Sequence, residues 1–299
     1  LLAHSLNPDD STWHVGLRLS LRGRLNPKTL GRALAAVQAS HAGLRTTLHA
    51  DTWTQRRHER LPIPWRRIDL SGADDQGAKL AHLQRRTVAA RFDLAHQAPL
   101  RATLARLSPT HHVLILGAHH AAIDGASIAV LLDDLATGLA GGAMPRPITD
   151  IQALGAWSRA QPPDVGAAWW REALHGFSAP GPLPARPTRD ASGAPTGRCQ
   201  IGIAPQTWAA LVTRARELRA TPHMALMAAW GGWMAEALDQ PQLVIATVAE
   251  GRQLPTTRRL IAHLANTVFV PLRFAPRAPY DSAAESPETS AIRAFDAAL

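Results

Sequence analysis

The sequence predicts a mixed α/β (α+β) fold, on three observations. Short segments with strand-type apolar alternation recur along the chain. Longer segments with apolar residues three and four apart, of helix type, lie between them. Both kinds occur before and after one stretch rich in proline and glycine.

In order, Trp13 to Gly23 places Val15, Leu17, Leu19 and Leu21 on one side of a half-buried strand. Asn26 then suits an N-cap and Pro27 the first helical position. Leu30, Ala33, Leu34 and Val37 form that helix's apolar stripe. A short strand is expected at 44–48 and a helix at 76–90. Leu100, Ala102 and Leu104 alternate again, and Val113-Leu114-Ile115-Leu116 reads as a strand buried on both faces. The loop 121–125 leads into a helix with Ile128, Leu131, Leu132, Leu135 and Leu139 on one face.

Five prolines and three glycines in 177–197 exclude a regular element there and mark a boundary. We therefore expect a first lobe over 1–160, a linker over 161–197 and a second lobe over 198–299. In the second lobe, Cys199 to Ile203 suggests a strand, and Pro205 opens a helix with Trp208, Leu211, Val212 and Ala215 on one face. Thr221 caps a longer helix that turns Met224, Met227, Ala228, Gly231, Met234, Ala235 and Leu238 inward. Strands follow at 243–249 and 266–274, the latter interrupted at Pro271. Trp169-Trp170, Trp230 and Trp233 are expected in packing.

The chain has 299 residues, 46% of them hydrophobic and 18% charged, which excludes global disorder. It has no run of 18 apolar residues, so no transmembrane helix is expected. The one cysteine, Cys199, excludes an internal disulfide and a cysteine metal cluster and suits a reducing cytoplasm. It is expected to be a small packed residue. The start, Leu1 to Leu6, has no signal-peptide pattern. A cytoplasmic location without a membrane partner is expected. The net charge is +9, and with Lys28 and Lys79 the only lysines, arginine carries the basic charge. The arginines are scattered, so the charge reads as a general surface field rather than a nucleic-acid footprint.

The chemistry-bearing segment is His119-His120-Ala121-Ala122-Ile123-Asp124-Gly125. Successive strand side chains point to opposite faces, so the two histidines must diverge. Histidine titrates nearest neutral pH and is the natural proton acceptor. Asp124 is expected to pair with an arginine and stiffen the turn. Gly125 is expected to allow close backbone approach or to supply an unusual φ. His111-His112 begins the same strand, lacks a following Asp-Gly, and is expected to face solvent.

HHxxxDG after a buried strand and before an amphipathic helix resembles the core signature of nonribosomal peptide synthetase condensation domains, in the chloramphenicol-acetyltransferase-like superfamily. Further segments match in order. Ser40 to Thr46 resembles RHExLRT, with Ser40 and Ala42 replacing Arg and Glu. Arg91 to Leu94 with Pro99 to Ala102 resembles FDLxxxPLxRA, and Thr221 to Trp230 the family's second-lobe helix. Glu250-Gly251-Arg252 resembles the end of VxGxPVAGR. Ile261 to Arg273 resembles IGxFVNTLPLR, with Leu264-Ala265 replacing Phe-Val. Ala126 replaces the frequent Trp after the motif, and Ser127 is kept.

The resemblance implies two acetyltransferase-like lobes in a V around a tunnel. On the same resemblance the second lobe is expected to be incomplete within these 299 residues, since HQDVPFE and RDxSRxPL are not among them. It implies a donor acyl or peptidyl thioester and an acceptor aminoacyl thioester, each on the phosphopantetheine arm of a peptidyl carrier protein. An adenylation domain would lie adjacent, and the domain itself would bind no cofactor or metal. The candidate catalytic set is His120, His119, Asp124 and Gly125. His120 occupies the catalytic position, His119 is structural, and the Gly125 N–H faces the developing oxyanion. Arg252 is expected to pair bidentately with Asp124, and Arg45 to buttress the same region. Ser127 and Asn266 are expected to contact substrate. Two alternatives stand beside amide synthesis: a degenerate domain that recruits a carrier protein or tailoring enzyme, and a free-standing acyltransferase of the same superfamily.

Overall fold

Eight consecutive residues, His112 to His119, are buried, which requires a strand with partners on both edges and a layer on each face. The structure is a computed structural model that describes residues 2–7, 10–162, 164, 166–177 and 200–274. The chain divides into two units, Leu1–Pro162 with Ala249–Asn266 and Pro163–Val248 with Thr267–Leu299.

The first unit contains α1 (Leu2–Leu6), β1 (His14–Arg22), α2 (Pro27–Ser40), β2 (Thr46–His49) and β3 (Thr54–Arg57). These are followed by β4 (Trp65–Asp69), α3 (Gln76–Val88), β5 (Leu100–Ser108), β6 (His111–His119), α4 (Gly125–Leu139) and α5 (Ile151–Ala160). The main sheet has the order β1-β6-β5-β4. β6 pairs antiparallel with β1 and β5, and β4 runs parallel to β5. Side-chain alternation along β6 divides the core in two. Leu114, Leu116 and Ala118 pack with Leu30, Leu34 and Val37 of α2 and Leu131 and Leu135 of α4. Val113 and Ile115 face the other way, toward Leu80 of α3. Asn26 caps α2 by accepting the Lys28 N–H, and Pro27 stands at the first helical position.

Several expectations are corrected. Segment 249–266 packs with the first unit, not with 198–299, because Ile261 joins the α2–α4 core. A helix, α6 (Ala167–Ala173), lies within the expected 161–197 linker, while 178–197 falls outside the described residues. Residues 42–45 form a 3-10 turn, so the strand expected at 44–48 begins at Thr46. His112 is buried, not solvent-facing, because β6 is a central strand covered on both sides.

The second unit carries α6, α7 (Pro205–Glu217) and α8 (Pro222–Ala237), with most of the paired strands β7 (Gln242–Ala249) and β8 (Asn266–Arg273). Residues 201–204 form no strand, and Cys199 lies outside the described residues. β8 runs through Pro271 uninterrupted. In a two-stranded sheet each strand has a free edge, where a missing N–H costs nothing. The packed face of α8 is made of small residues, Ala225, Ala228, Gly231 and Ala235, and Met224 is exposed. A Cβ on Gly231 would lie 2.5 Å from Leu272 Cδ1, so the helix approaches β7 and β8 closely. The bulky face therefore turns outward, and Trp230 and Trp233 are more than half exposed, contrary to expectation. Trp169 is exposed as well.

Gly117 holds α3 against β6. A Cβ there would lie 2.2 Å from the Thr87 carbonyl oxygen, a backbone atom that cannot step aside. Gly117→Ala is expected to cost about 1–3 kcal/mol, the usual range for overpacking. Thermal unfolding should show a lowered Tm. Gly125→Ala, where the added methyl meets nothing within 4 Å, should leave Tm nearly unchanged.

Candidate active site

The parity of β6 sorts the two histidines. His14 pairs in register with His119, and the His120 N–H donates to the Trp13 carbonyl at 2.7 Å, so the pairing carries one residue past the strand. His119 lies on the α3 face with 2% of its surface exposed, against the rings of His4, His14 and Phe92. Its Nδ1 accepts the Ala121 N–H at 3.1 Å, which starts the turn. Burial, and after it the neighbouring His4 and His14, push its pKa down to about 3. His119 is therefore neutral and sealed from substrate. That corrects its place in the catalytic set and fits the structural role.

His120 is half-buried and faces the other way. Its Nδ1 lies 3.1 Å from Nδ1 of His263, with the rings edge to face at 5.0 Å. The Trp13 ring stands 6.4 Å away. A cavity of about 200 Å³ beside this pair is lined by His263, Ala121, Ala122, Ala262, Thr46 and Gln55, among others.

Asp124 ties the turn to segment 249–266. It is the N-cap of α4, and its Oδ1 accepts the Ser127 N–H at 3.0 Å and the Ser127 hydroxyl at 2.7 Å. Arg252 grips the carboxylate as a fork, Nη1 to Oδ2 at 2.7 Å and Nη2 to Oδ1 at 2.9 Å. Oδ2 also accepts the N–H groups of Leu264 and Ala265, at 2.9 and 3.0 Å. Arg252 reaches on to the carbonyls of Glu250, Leu260 and Ala262. Gly251 makes this approach possible. Its φ is +68°, and a Cβ would lie 2.1 Å from the Leu264 carbonyl oxygen. Burial alone would raise the Asp124 pKa. The hydrogen bonds from Arg252, Ser127 and Leu264 outweigh it and hold the carboxyl well below the usual range.

The other expected residues fall in different places. Gly125 is exposed at the first position of α4 without a positive φ, so its use is open space and a helix-end N–H, not backbone freedom. Ser127 is fully buried. Its single hydroxyl hydrogen is shared between Asp124 and the Ala262 carbonyl, and its oxygen accepts from Arg252 and the Ala262 N–H. Nothing is left for a substrate, so Ser127 is part of the Asp124 clamp. Asn266 heads β8 with its side chain exposed. Arg45 does not join the clamp. Its Nη1 donates to the His58 carbonyl at 2.6 Å, tying the 3-10 turn to the end of β3 beside an adjoining cavity of about 600 Å³.

Sequence reading missed His263, which no spacing marks, and a second buried cluster. His41 Nε2 lies 2.6 Å from Asp134 Oδ2, and Arg259 bridges Asp134 and Asp133. A carboxylate at 134, on the apolar stripe of α4 between Leu131 and Leu135, was the available signal. The assembly joins an accessible imidazole, a rigid turn and a helix N-terminus, which suits proton transfer beside a developing negative charge.

The fold is of the mixed α/β class. The model of the Condensation domain family matches residues 1–294, and the chain belongs to that family. It is 31% identical to isonitrile lipopeptide synthase of Mycobacterium tuberculosis (strain ATCC 25618 / H37Rv), over 88% of this chain and 11% of that protein. It is 23% identical to tyrocidine synthase 2 of Brevibacillus parabrevis, over 99% of this chain and 8% of that protein. The chain thus spans about a tenth of these relatives' length. The first condensation domain of the calcium-dependent antibiotic synthetase, solved with a substrate analogue, superposes with a TM-score of 0.72 at 23% identity, covering 99% of this chain and 69% of that one. The X-domain from teicoplanin biosynthesis gives 0.73 at 26%, covering 97% and 66%. Among the described residues no helix is long and apolar enough to cross a membrane.

A buried ion pair that loses one partner leaves an uncompensated charge, at a cost of about 3–5 kcal/mol. Arg252→Ala should destabilise the protein by that order in denaturant unfolding, and Arg252→Lys by less, since it keeps the charge and loses the fork. Because the folded pKa of Asp124 is depressed, its contribution is complete above the ordinary aspartate value of about 4 and is lost as pH falls below it. Asp124→Asn should flatten that acid limb.

Proposed function

We propose that this chain joins a donor acyl or peptidyl thioester to the amine of an acceptor aminoacyl thioester, both presented on phosphopantetheine arms of peptidyl carrier proteins. Membership of the Condensation domain family supports the reaction class. The observation that carries the reading is the contrast between the histidines: His119 buried and neutral, His120 accessible and held by a clamped turn.

In this reading the amine attacks the thioester carbonyl. His120 takes the proton that the amine sheds and returns it to the departing thiolate, so an amide and a free thiol result. The Gly125 N–H at the N-terminus of α4 stabilises the oxyanion. Asp124 and Arg252 act by holding the turn. Carrier-bound reactants gain the entropic advantage of an intramolecular reaction. An adjacent adenylation domain that loads the acceptor carrier belongs to the same proposal.

A second reading is recruitment of a partner protein. It is favoured by the likeness to the teicoplanin X-domain, also solved in complex with OxyB, at 25% identity and a TM-score of 0.72.

His120→Ala should reduce amide formation between two loaded carrier proteins by roughly 100- to 10,000-fold, the usual worth of positioned proton transfer. Mass spectrometry of the acceptor-bound product measures it, with circular dichroism to confirm folding. An unchanged rate refutes the catalytic role of His120. A wild-type domain that makes no product yet binds a partner enzyme tightly supports recruitment.

A further inference from the structure

The Nδ1–Nδ1 contact between His120 and His263, 3.1 Å long, can exist only if one ring donates and the other accepts. Its direction decides what His120 has left to offer. If His120 donates, its Nε2 keeps a lone pair and is a base. If His263 donates, the His120 Nε2 carries the proton and the base is lost. Thus the partner of the base fixes its tautomer, as a carboxylate or carbonyl does in other catalytic histidines.

We propose that His263 is a positioning residue for His120: it accepts the His120 Nδ1–H and so holds the tautomer whose Nε2 lone pair is free to take a proton. The proposal rests on the reading of His120 as the proton acceptor. His263 acts through His120 and touches no reacting atom. While the His120 Nε2 takes the amine's proton, the Nδ1–H stays donated to His263, and the resulting imidazolium makes a stronger hydrogen bond than the neutral ring did.

His263 must remain neutral, because a protonated His263 has no acceptor at Nδ1. The balance of its surroundings favours this. Partial burial and the facing His120 lower its pKa, while Asp124 and a hydrogen bond to the His120 backbone pull the other way and are outweighed. That carboxylate is already neutralised by the Arg252 fork. Both neighbours of His263 are fixed to the same clamp, Ala262 through Ser127 and Leu264 through Asp124. The imidazole therefore has a defined place opposite His120 although it is exposed.

The test uses the full-length protein labelled with 15N-histidine. Two-bond proton–nitrogen spectra at neutral pH read which ring nitrogen of His120 carries the proton. The expected result is protonation at Nδ1. His263→Phe should shift His120 toward the Nε2–H form, and His263→Gln, whose Oε1 still accepts, should retain the Nδ1–H form. In amide formation, His263→Phe should lower kcat about 3- to 10-fold, the worth of one hydrogen bond, with KM nearly unchanged. His263→Gln should restore most of the rate. A wild-type His120 protonated at Nε2 overturns the proposal and needs no variant to be seen. So does a folded His263→Phe with unchanged tautomer and rate while His120→Ala is inactive, which leaves the role of His120 standing. Full activity in His120→Ala overturns the reading of His120 itself, and with it the part given to His263.

Discussion

The site depends on one buried carboxylate. Asp124 accepts six hydrogen bonds from four residues that lie on two distant stretches of chain. A buried Asp–Arg pair is not retained for net stability, since desolvation consumes most of what the charges return. It contributes geometry. Its donors come from Ser127, Arg252, Leu264 and Ala265, so the turn after β6, the first turn of α4 and segment 260–265 have one mutual arrangement. Moving any of them would leave a buried charge or N–H unpaired.

From that constraint the rest of the site follows. The turn begins where the Ala121 N–H finds Nδ1 of His119, which requires His119 to be neutral. Burial among aromatic rings keeps it so. His119 thus works as a hydrogen-bond acceptor locked into the core, while strand alternation delivers His120 to the opposite face. Two identical side chains in sequence differ in chemistry because the sheet sends them into different media.

Local patterns were the readable part. The Asn26–Pro27 start of α2, the buried stripe of β6 and the apolar face of α4 needed only periodicity and capping rules, and the Asp124–Arg252 fork was anticipated from the motif pairing. What was not readable depends on distant contacts. Ser127 looked available, but only the folded chain shows its hydroxyl enclosed by Arg252 and Ala262. Helical spacing marks Met224 as inward together with Ala228, Gly231 and Ala235, whereas a close approach to the sheet keeps only the small ones buried. His263 sits in an apolar stretch, and only the return of 249–266 to the first unit brings it opposite His120.

The departures from the family pattern acquire a physical meaning here. Leu264 and Ala265 replace Phe and Val, yet they serve Asp124 through backbone N–H groups that any residue other than proline supplies. Ala126 lies in the first turn of α4 beside the clamp, not in it. Ser40 lines the adjoining cavity, away from the carboxylate. The side chains that the geometry does use, Asp124, Ser127, Arg252 and both histidines, all stand as in the motifs. The clamp thus holds the turn that carries His120 in one arrangement, and the proton transfer proposed for it depends on positioning within fractions of an ångström.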